Sequence, residues 1–288
     1  MSNHSNTVLE ILRKSEDFLA KKQVSEPKLS AQHILAHVLG LGRMDLYLQF
    51  DRPLKEAELE KIRPLLARRA KHEPLQYIIG HTGFRKLSIK CDPRALIPRP
   101  ETEQLVDLAI ESLKDKTNPT IIEMGVGTGA ILLSLACEYR DPSKLLGVDV
   151  SPLALQLAQE NQKINPISQP ITWLESDLWS NPQLHNVRFD LLVSNPPYID
   201  SKVMQSLQPD VRLFEPHLAL NGGKEGMELI ERMLSHPVIA ANKGSTILLE
   251  SGYDQKSALE SLCKKLGFAL CEVLPDFVGH WRFARIVI

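Results

Sequence analysis

The chain has 288 residues, of which 43% are hydrophobic, and its formal net charge at pH 7 is −1. This length is typical of two domains, and the hydrophobic fraction is large enough to fill two cores. The charge excludes a strongly cationic protein, so any contact with nucleic acid would need a local basic patch.

The first six residues and the four cysteines indicate the compartment. Met1–Asn6 contain no basic stretch followed by an apolar core, and no later segment has the roughly 20 apolar residues that cross a membrane. Cys91, Cys137, Cys263 and Cys271 show no C-x-x-C spacing, which is typical of reduced packing cysteines rather than a disulfide or zinc framework. We therefore expect a soluble, cytoplasmic protein without a metal site.

The first part of the chain is predicted to be helical. Apolar residues recur at helical spacing from Val8 to Leu19, and further helices are predicted over about 30–39 and 55–71. The last helix carries a basic stripe formed by Lys61, Arg63, Arg68, Arg69 and Lys71. Such a stripe is either a solvated helix face or a docking surface for an acidic partner or RNA. His33 and His37 have metal-ligand spacing, but because no third ligand follows, a packing or surface role is favoured.

A connector is predicted between these helices and a later sheet. Pro74 to Gly80, Gly83-Phe84 and the alternating Leu87, Ile89 and Cys91 indicate a small hairpin. Pro100 fits the first turn of the next helix. The predicted domains are therefore a helical domain 1–73, a hairpin and linker 74–99, and a larger domain 100–288.

From Thr120 onward the hydrophobic pattern alternates between strand and helix. The short strand Ile121–Met124 leads into the glycine turn Gly125-Val126-Gly127-Thr128-Gly129, a helix is predicted over 130–139, and the next strand ends near Asp149. Glycines let the backbone approach a ligand, and the Asp149 carboxylate can accept both hydroxyls of a ribose. The pattern predicts a Rossmann-like nucleotide site, but it also fits the dinucleotide fingerprint of nicotinamide enzymes.

A second candidate site is the stretch Asn195-Pro196-Pro197-Tyr198, which follows an apolar run of strand length. The prolines stiffen the loop, the carbonyls of Asn195 and Pro196 can accept hydrogen bonds from a ligand, and Tyr198 offers a flat face. Acceptors directed at both N–H bonds of a planar –NH2 group would hold its nitrogen and favour its change toward tetrahedral geometry. An ordinary strand-ending turn is the structural alternative.

A third strand, about 171–174, ends at Ser176-Asp177-Leu178-Trp179, where a side chain and a backbone N–H could read an adenine edge. The order of glycine turn, Asp149, this segment and Asn195–Tyr198 resembles S-adenosylmethionine-dependent amino-methyltransferases. Over nearly the whole chain, further stretches are similar to the release factor glutamine methyltransferase family, also called HemK-like. These stretches are Ala36–Gly40, Asp45–Leu48, Arg68-Arg69, Glu73–Ile78, Leu96–Glu103, Glu215-Pro216, Ala219-Leu220, Gly222-Gly223 and Glu250–Gln255.

The resemblance implies an activity, a cofactor and a fold. The family methylates the side-chain amide nitrogen of the glutamine in the Gly-Gly-Gln motif of class 1 peptide chain release factors, which modulates translation termination. S-adenosylmethionine is the donor and S-adenosylhomocysteine the product. The implied α/β fold is a Rossmann-like seven-stranded methyltransferase sheet, joined by a β-hairpin to a small N-terminal helical domain that recognises the substrate. We expect no membrane contact and no direct DNA binding.

The resemblance also implies roles for individual residues. Gly125 to Gly129 would hold the methionine part of the cofactor, Asp149 the ribose, and Asp177 and Leu178 the adenine. Asn195 and the Pro196 carbonyl would bind the glutamine amide beside Pro197, with Tyr198 packing on it, and Asn195 would also contact the cofactor. The departures from the family pattern are Glu123-Met124 for Asp-Leu, Leu178 for a frequent aromatic residue, and Phe84-Arg85-Lys86 for Phe-Trp-Gly.

The remaining chain is predicted to complete the sheet. A helix is expected over 225–240, a strand over 245–250, a helix over 254–266, and an antiparallel strand pair over 270–274 and 281–288. The segment between Pro197 and Gly226 is either a substrate-facing wall or a plain surface loop.

Three other functions stay open at this point. A DNA adenine N6-methyltransferase would use the same tetrapeptide, but a larger basic cleft and a target-recognition region are not evident. A methyltransferase that acts on a glutamine of a ribosomal protein is more similar to the family described above and is harder to exclude. The third alternative is a non-enzymatic module that only binds the cofactor.

Overall fold

The computed structural model describes residues 6–139, 142 and 144–288, so that of Met1–Asn6 only Asn6 is described. The α-helices are α1 (Val8–Lys21), α2 (Pro27–Leu39), α3 (Glu56–Arg69), α4 (Leu75–Ile79), α5 (Thr102–Ser112), α6 (Ala130–Glu138), α7 (Pro152–Ile164), α8 (Pro209–Phe214), α9 (Glu228–Leu234), α10 (Pro237–Ala240) and α11 (Lys256–Leu266). The strands are β1 (His81–Phe84), β2 (Leu87–Lys90), β3 (Thr120–Met124), β4 (Lys144–Asp149), β5 (Ile171–Glu175), β6 (Leu191–Ser194), β7 (Thr246–Glu250), β8 (Leu270–Pro275) and β9 (Trp281–Val287).

The chain forms two compact units. The first contains the residues up to His81 together with Gln208–Phe214, and the second contains Thr82–Leu207 and Glu215–Ile288. The boundaries predicted at 73/74 and 99/100 stay predictions. None of the helices within the described ranges combines the length and apolar character of a membrane span.

The first unit is helical, as predicted. Its core contains the fully buried Leu19, Ile34 and Leu35. The α1 helix begins at a capping box between Thr7 and Glu10, which satisfies free N–H groups of its first turn. The α2 helix begins at Pro27, three residues before the predicted start, because proline is favoured in the first turn.

Two predictions for this unit are wrong. The stretch from Pro74 to Gly80 does not belong to the hairpin but contains α4 (Leu75–Ile79), which buries Tyr77 and Ile78. Arg69 does not belong to an exposed basic stripe, because its guanidinium is buried and donates to Ser30 Oγ at 3.1 Å and to the Glu73 carbonyl at 2.9 Å. Arg68 is half-buried and paired with the Glu73 carboxylate at 2.5 Å, so the exposed cations of the stripe are Lys61, Lys71 and Arg63, which pairs with Glu56 at 2.6 Å.

The second unit contains a seven-stranded sheet in the order β5-β4-β3-β6-β7-β9-β8. The strands β5, β4, β3, β6 and β7 pair in parallel, while β9 is antiparallel to both of its neighbours. The predicted Rossmann-like sheet and its closing antiparallel pair are confirmed, and β1 and β2 form the predicted two-stranded hairpin. Because parallel strands end at the same edge, the segments after β3, β4, β5 and β6 meet there.

The prediction of one continuous helix over 225–240 is wrong. A 3₁₀ turn over Lys224–Gly226 precedes α9, and α10 starts separately at Pro237, since proline cannot continue the helix that ends at Leu234. Similarly, α5 begins at Thr102 rather than Pro100, because residues 99–102 form a turn in which the Thr102 N–H donates to the Arg99 carbonyl.

Candidate active site

A cavity of about 350 Å³ lies at the carboxyl edge of the parallel strands, within the size range of small-molecule sites. Most residues that the sequence predicted for the site line it. They are Gly125, Val126, Gly127, Thr128, Asp149, Asp177, Leu178, Asn195, Pro196 and Pro197. Gly129 and Tyr198 were also predicted, but they lie outside the cavity lining. The cavity is therefore built by the segments that follow four neighbouring strands.

The glycine turn after β3 has an unusual backbone. Gly125, Gly127 and Gly129 have φ values of 76°, 55° and 83°, in the region that L side chains avoid. A Cβ at Gly125 would meet no atom within 4 Å, so at this position the backbone conformation requires glycine. A Cβ at Gly129 would lie only 3.1 Å from Ala158 Cβ. The missing side chain therefore allows the start of α6 to pack closely against α7.

The Asp149 carboxylate fixes this turn. Oδ2 accepts from the Gly127 N–H at 2.8 Å, and Oδ1 accepts from the Ser151 N–H at 2.8 Å. Burial raises the pKa of Asp149, while these backbone donors oppose the rise. The Val150 N–H is a third backbone partner, and because a carboxylate has about four acceptor positions, the group can both shape the turn and accept from a ribose hydroxyl.

The segment after β5 forms another side of the cavity. Leu178 has a φ of 52°, and its carbonyl accepts from Ser176 Oγ at 2.7 Å, which holds its aliphatic side chain in the lining. Asp177 is exposed and pairs with Arg232 at 2.8 Å. Trp179 is fully buried and donates to the Met233 carbonyl, so it is not available to stack on a ligand.

The tetrapeptide after β6 is held in a narrow space. Gln255 Nε2 donates to the Tyr198 carbonyl at 3.0 Å. A Cβ at Gly226 would lie 1.9 Å from that carbonyl oxygen, and a Cβ at Gly222 would lie 2.5 Å from the Pro197 oxygen. The chain from Gly222 to Gly226 therefore passes so close to the tetrapeptide that only glycine fits at these two positions.

Two polar residues, Thr102 and Glu250, support the tetrapeptide, and their part in the site was missed from the sequence. Asn195 Nδ2 donates to Thr102 Oγ1 at 3.2 Å, Thr102 Oγ1 donates to Glu250 Oε2 at 2.7 Å, and the Tyr198 hydroxyl donates to Glu250 Oε1 at 3.4 Å. Burial raises the pKa of Glu250, and it also raises the pKa of Tyr198, so the phenol stays protonated at neutral pH. Glu250 ends an apolar strand at the same sheet edge, and that position is the sequence signal that could have found it.

Glu123 is a second carboxylate whose part in the site was missed. It lines the cavity, is almost fully buried, and accepts from the Leu132 N–H near the start of α6 at 2.9 Å. Desolvation raises its pKa well above the usual value, and the nearby Asp149 charge acts in the same direction.

The segment between Pro197 and Gly226 contributes to the cavity through Pro216, Leu218 and Ala219. Glu215 anchors this stretch, because Oε1 accepts from Arg99 at 2.6 Å and Oε2 accepts from the Ile97 N–H at 3.2 Å. These contacts favour the substrate-facing wall over a plain surface loop for residues 215–219.

Comparisons with known proteins agree with this architecture. The PrmC N-terminal domain family matches residues 10–80, and the methyltransferase small domain family matches residues 103–214. The catalytic domain of hMettl16 in complex with MAT2A 3′UTR hairpin 6 superposes with a TM-score of 0.57, covering 77% of this chain and 81% of that one. Its sequence identity is only 16%, so this likeness concerns the fold alone.

Curated relatives match nearly the whole chain. Release factor glutamine methyltransferase from Geobacter sulfurreducens is 36% identical over 270 residues, covering 94% of this chain and 93% of the relative. The proteins of the same name from Rhodopirellula baltica and Vibrio cholerae are 34% and 35% identical, covering 96% of this chain and 94% and 96% of their own lengths. The chain therefore belongs to the release factor glutamine methyltransferase family, which confirms the resemblance drawn from its sequence.

Proposed function

We propose that this enzyme transfers a methyl group from S-adenosylmethionine to the side-chain amide nitrogen of the Gly-Gly-Gln glutamine in class 1 peptide chain release factors. The observation that carries the proposal is that Asn195, Pro196 and Pro197 line the same cavity as the glycine turn and Asp149. An amide substrate and a nucleoside-bearing methyl donor can therefore meet there. The names of the relatives, release factor glutamine methyltransferase, support a release factor glutamine as the acceptor.

The residues of the cavity suit S-adenosylmethionine. Backbone groups of Gly125 to Thr128 would hold its methionine part, the remaining acceptor position of Asp149 its ribose, and the aliphatic side chain of Leu178 would cover its adenine. Open space beside Gly125 leaves room for a close approach to this backbone. When bound, the cofactor supplies an activated methyl group on a positively charged sulfur.

The chain's own contribution is binding and alignment of the glutamine amide. Asn195 gives an N–H to Thr102, which leaves its Oδ1 as an acceptor, and the Pro196 carbonyl is the second acceptor. With both N–H bonds of the substrate amide engaged, its nitrogen is held in place and its approach to tetrahedral geometry is favoured. The Tyr198 hydroxyl donates to Glu250, and Tyr198 lies outside the cavity lining. Its ring would therefore pack against the substrate amide from beside the cavity.

Proton loss needs no strong base in the tetrapeptide. The Tyr198 phenol has a raised pKa and does not serve as a base. The surplus proton therefore passes, after methyl transfer, to water or to a backbone acceptor.

The helical unit is the proposed recognition domain for the release factor. Lys61, Arg63 and Lys71 are exposed and remain candidates for contact with an acidic surface of that partner. We expect no binding to duplex DNA, because the formal net charge is −1.

The test is transfer of labelled methyl from S-adenosylmethionine to four acceptors: purified release factor, its Gln-to-Ala variant at the Gly-Gly-Gln motif, a ribosomal-protein mixture and duplex DNA. Label on the intact release factor, with none on the Gln-to-Ala variant, is the expected result. Label on ribosomal protein or DNA instead would contradict the proposed substrate but not the methyltransferase activity. The absence of label from all four acceptors would favour a non-enzymatic cofactor-binding module.

A further inference from the structure

A buried relay of hydrogen bonds lies behind Asn195 and determines which end of its amide can face a substrate. Asn195 Nδ2 donates to Thr102 Oγ1 at 3.2 Å, and Thr102 Oγ1 donates to Glu250 Oε2 at 2.7 Å. Thr102 and Glu250 are 4% and 1% exposed, so both are largely shielded from bulk solvent.

The direction of the relay follows from the number of hydrogens. A threonine hydroxyl carries one hydrogen, and an ionised carboxylate can only accept. Because Thr102 gives its hydrogen to Glu250, it can only accept from Asn195. Asn195 must then turn its NH2 toward Thr102, and its Oδ1 becomes the end that is available to a ligand.

The other oxygen of Glu250 restrains the far end of the tetrapeptide. Oε1 accepts from the Tyr198 hydroxyl at 3.4 Å, so one carboxylate is tied to both ends of Asn195–Tyr198. Burial raises the pKa of Glu250 and the charge of Glu101 acts in the same direction, whereas the hydrogen bonds from Thr102 and Tyr198 and the charge of Arg282 favour the ionised form. In the structure both oxygens of Glu250 accept, from the Thr102 and Tyr198 hydroxyls, and Arg282 of β9 stabilises this acceptor state.

We propose that Thr102 and Glu250 are positioning residues that orient the Asn195 amide, so that its oxygen accepts an N–H of the substrate amide. The inference rests on the proposed function and explains how the site selects an –NH2 group over a carboxylate or a carbonyl. If the Asn195 amide were reversed, its NH2 would face the NH2 of the substrate. Two donors cannot hydrogen-bond to each other, so the substrate nitrogen would no longer be held in line with the methyl group.

Thr102→Val tests the relay, because valine has nearly the shape of threonine but neither donates nor accepts. We expect kcat on the release factor to fall by about 10- to 100-fold, the scale of a misplaced reacting group, while the Kd of S-adenosylmethionine stays within about threefold. Thr102→Ser keeps the hydroxyl and should restore most of kcat. Equal kcat values for wild type and Thr102→Val would overturn the proposal, as would equal losses in Thr102→Val and Thr102→Ser.

A second measurement does not depend on turnover or on the Val variant folding. In protein labelled with ¹⁵N-asparagine, the side-chain NH2 signal of Asn195 is identified by its loss in Asn195→Ala. We expect slow solvent exchange of its bonded proton in wild type and in Thr102→Ser. Exchange as fast as that of an exposed asparagine in wild type would contradict the relay. If wild type methylates no release factor, the proposed function fails, and this NMR signal still decides the orientation of Asn195.

Discussion

At the scale of single residues, Asp149 and Asp177 were given similar roles from the sequence, but the structure separates them. Both oxygens of Asp149 accept backbone N–H groups, from Gly127 and Ser151, whereas Asp177 is exposed and paired with Arg232. Removing a buried acceptor leaves its donor unsatisfied at a cost of about 1–3 kcal/mol, but an exposed ion pair contributes about 0–1 kcal/mol. The two carboxylates should therefore differ in their importance for the cofactor site.

Asp149→Asn keeps one acceptor oxygen and loses the other, so it should weaken the glycine turn and the proposed ribose contact together. We expect the Kd of S-adenosylmethionine, measured by calorimetry, to rise by about tenfold or more. Asp177→Asn is the matched control, with an expected rise below about threefold. Equal effects of the two substitutions would show that the buried contacts of Asp149 have no special part in binding.

At the scale of structural elements, the chain from Gly222 to Gly226 controls the position of the tetrapeptide. Gly226 has a φ of 68°, and an added Cβ would lie 1.9 Å from the Tyr198 carbonyl oxygen. Gly244 has a φ of 82°, but an added Cβ there would meet no atom within 4 Å. Both glycines have a positive φ that L side chains rarely adopt, but only Gly226 lies against a neighbouring backbone atom.

Gly226→Ala and Gly244→Ala should both lower the free energy of unfolding through backbone strain of about 1–2 kcal/mol. Only Gly226→Ala should also displace Asn195–Tyr198, and we expect its kcat to fall by about 100-fold, since a shift near 1 Å has that effect. Steady-state kinetics and urea unfolding of both variants are the measurements. Similar kcat values in the two variants would mean that the close contact does not hold the tetrapeptide.

The hairpin of β1 and β2 is joined to two helices of the second unit through Arg85, one of the departures from the family pattern. Its guanidinium forms paired bonds of 2.6 and 3.0 Å with Glu138 and an ion pair of 2.8 Å with Asp107. These bonds hold the pKa of Glu138 below its usual value. The neighbouring Lys86 reaches the same carboxylate at 3.5 Å, but its side chain is 71% exposed.

Arg85→Met should lower the free energy of unfolding by about 2–4 kcal/mol, because the Glu138 carboxylate, only 10% exposed, loses its main partner. Lys86→Met should change it by less than about 1 kcal/mol, as an exposed pair does. Urea unfolding of the two variants distinguishes them. Losses of equal size would show that the hairpin is not anchored through Arg85.

At the scale of the whole molecule, the buried Glu123 makes stability depend on pH. Its pKa in the folded protein lies well above the usual value of 4.5, so the folded state holds a proton that the unfolded state has lost. Its contribution is therefore complete below the unfolded pKa and is lost as the pH rises through the folded pKa. Glu123→Gln keeps an acceptor for the Leu132 N–H but does not titrate.

We expect the free energy of unfolding of Glu123→Gln, relative to wild type, to rise with pH between the unfolded and folded pKa values by up to about 1.4 kcal/mol per unit. Urea unfolding at several pH values between about 5 and 8 measures the difference. Asp149 titrates in both proteins, so its own contribution largely cancels. A difference that does not vary with pH would exclude Glu123 as the titrating group.

The sequence predicts the site residues well where they come directly after a buried strand. The apolar runs before Gly125, Asp149 and Asn195 end at one sheet edge, so these residues could be placed together before any coordinates were known. The contact between Thr102 and Glu250 joins residues 148 positions apart, and no local pattern indicates it. The burial of Arg69 was missed for a similar reason, since its partner Ser30 lies on another helix.

The most direct test of the account is Asn195→Ala, because the Asn195 amide is its central group. We predict that kcat on the release factor falls by about 100-fold or more, as for the loss of a group that binds the reacting centre. The Kd of S-adenosylmethionine should change by less than about threefold, since the glycine turn and Asp149 remain. Near-normal turnover by Asn195→Ala would contradict the amide-binding role of the tetrapeptide.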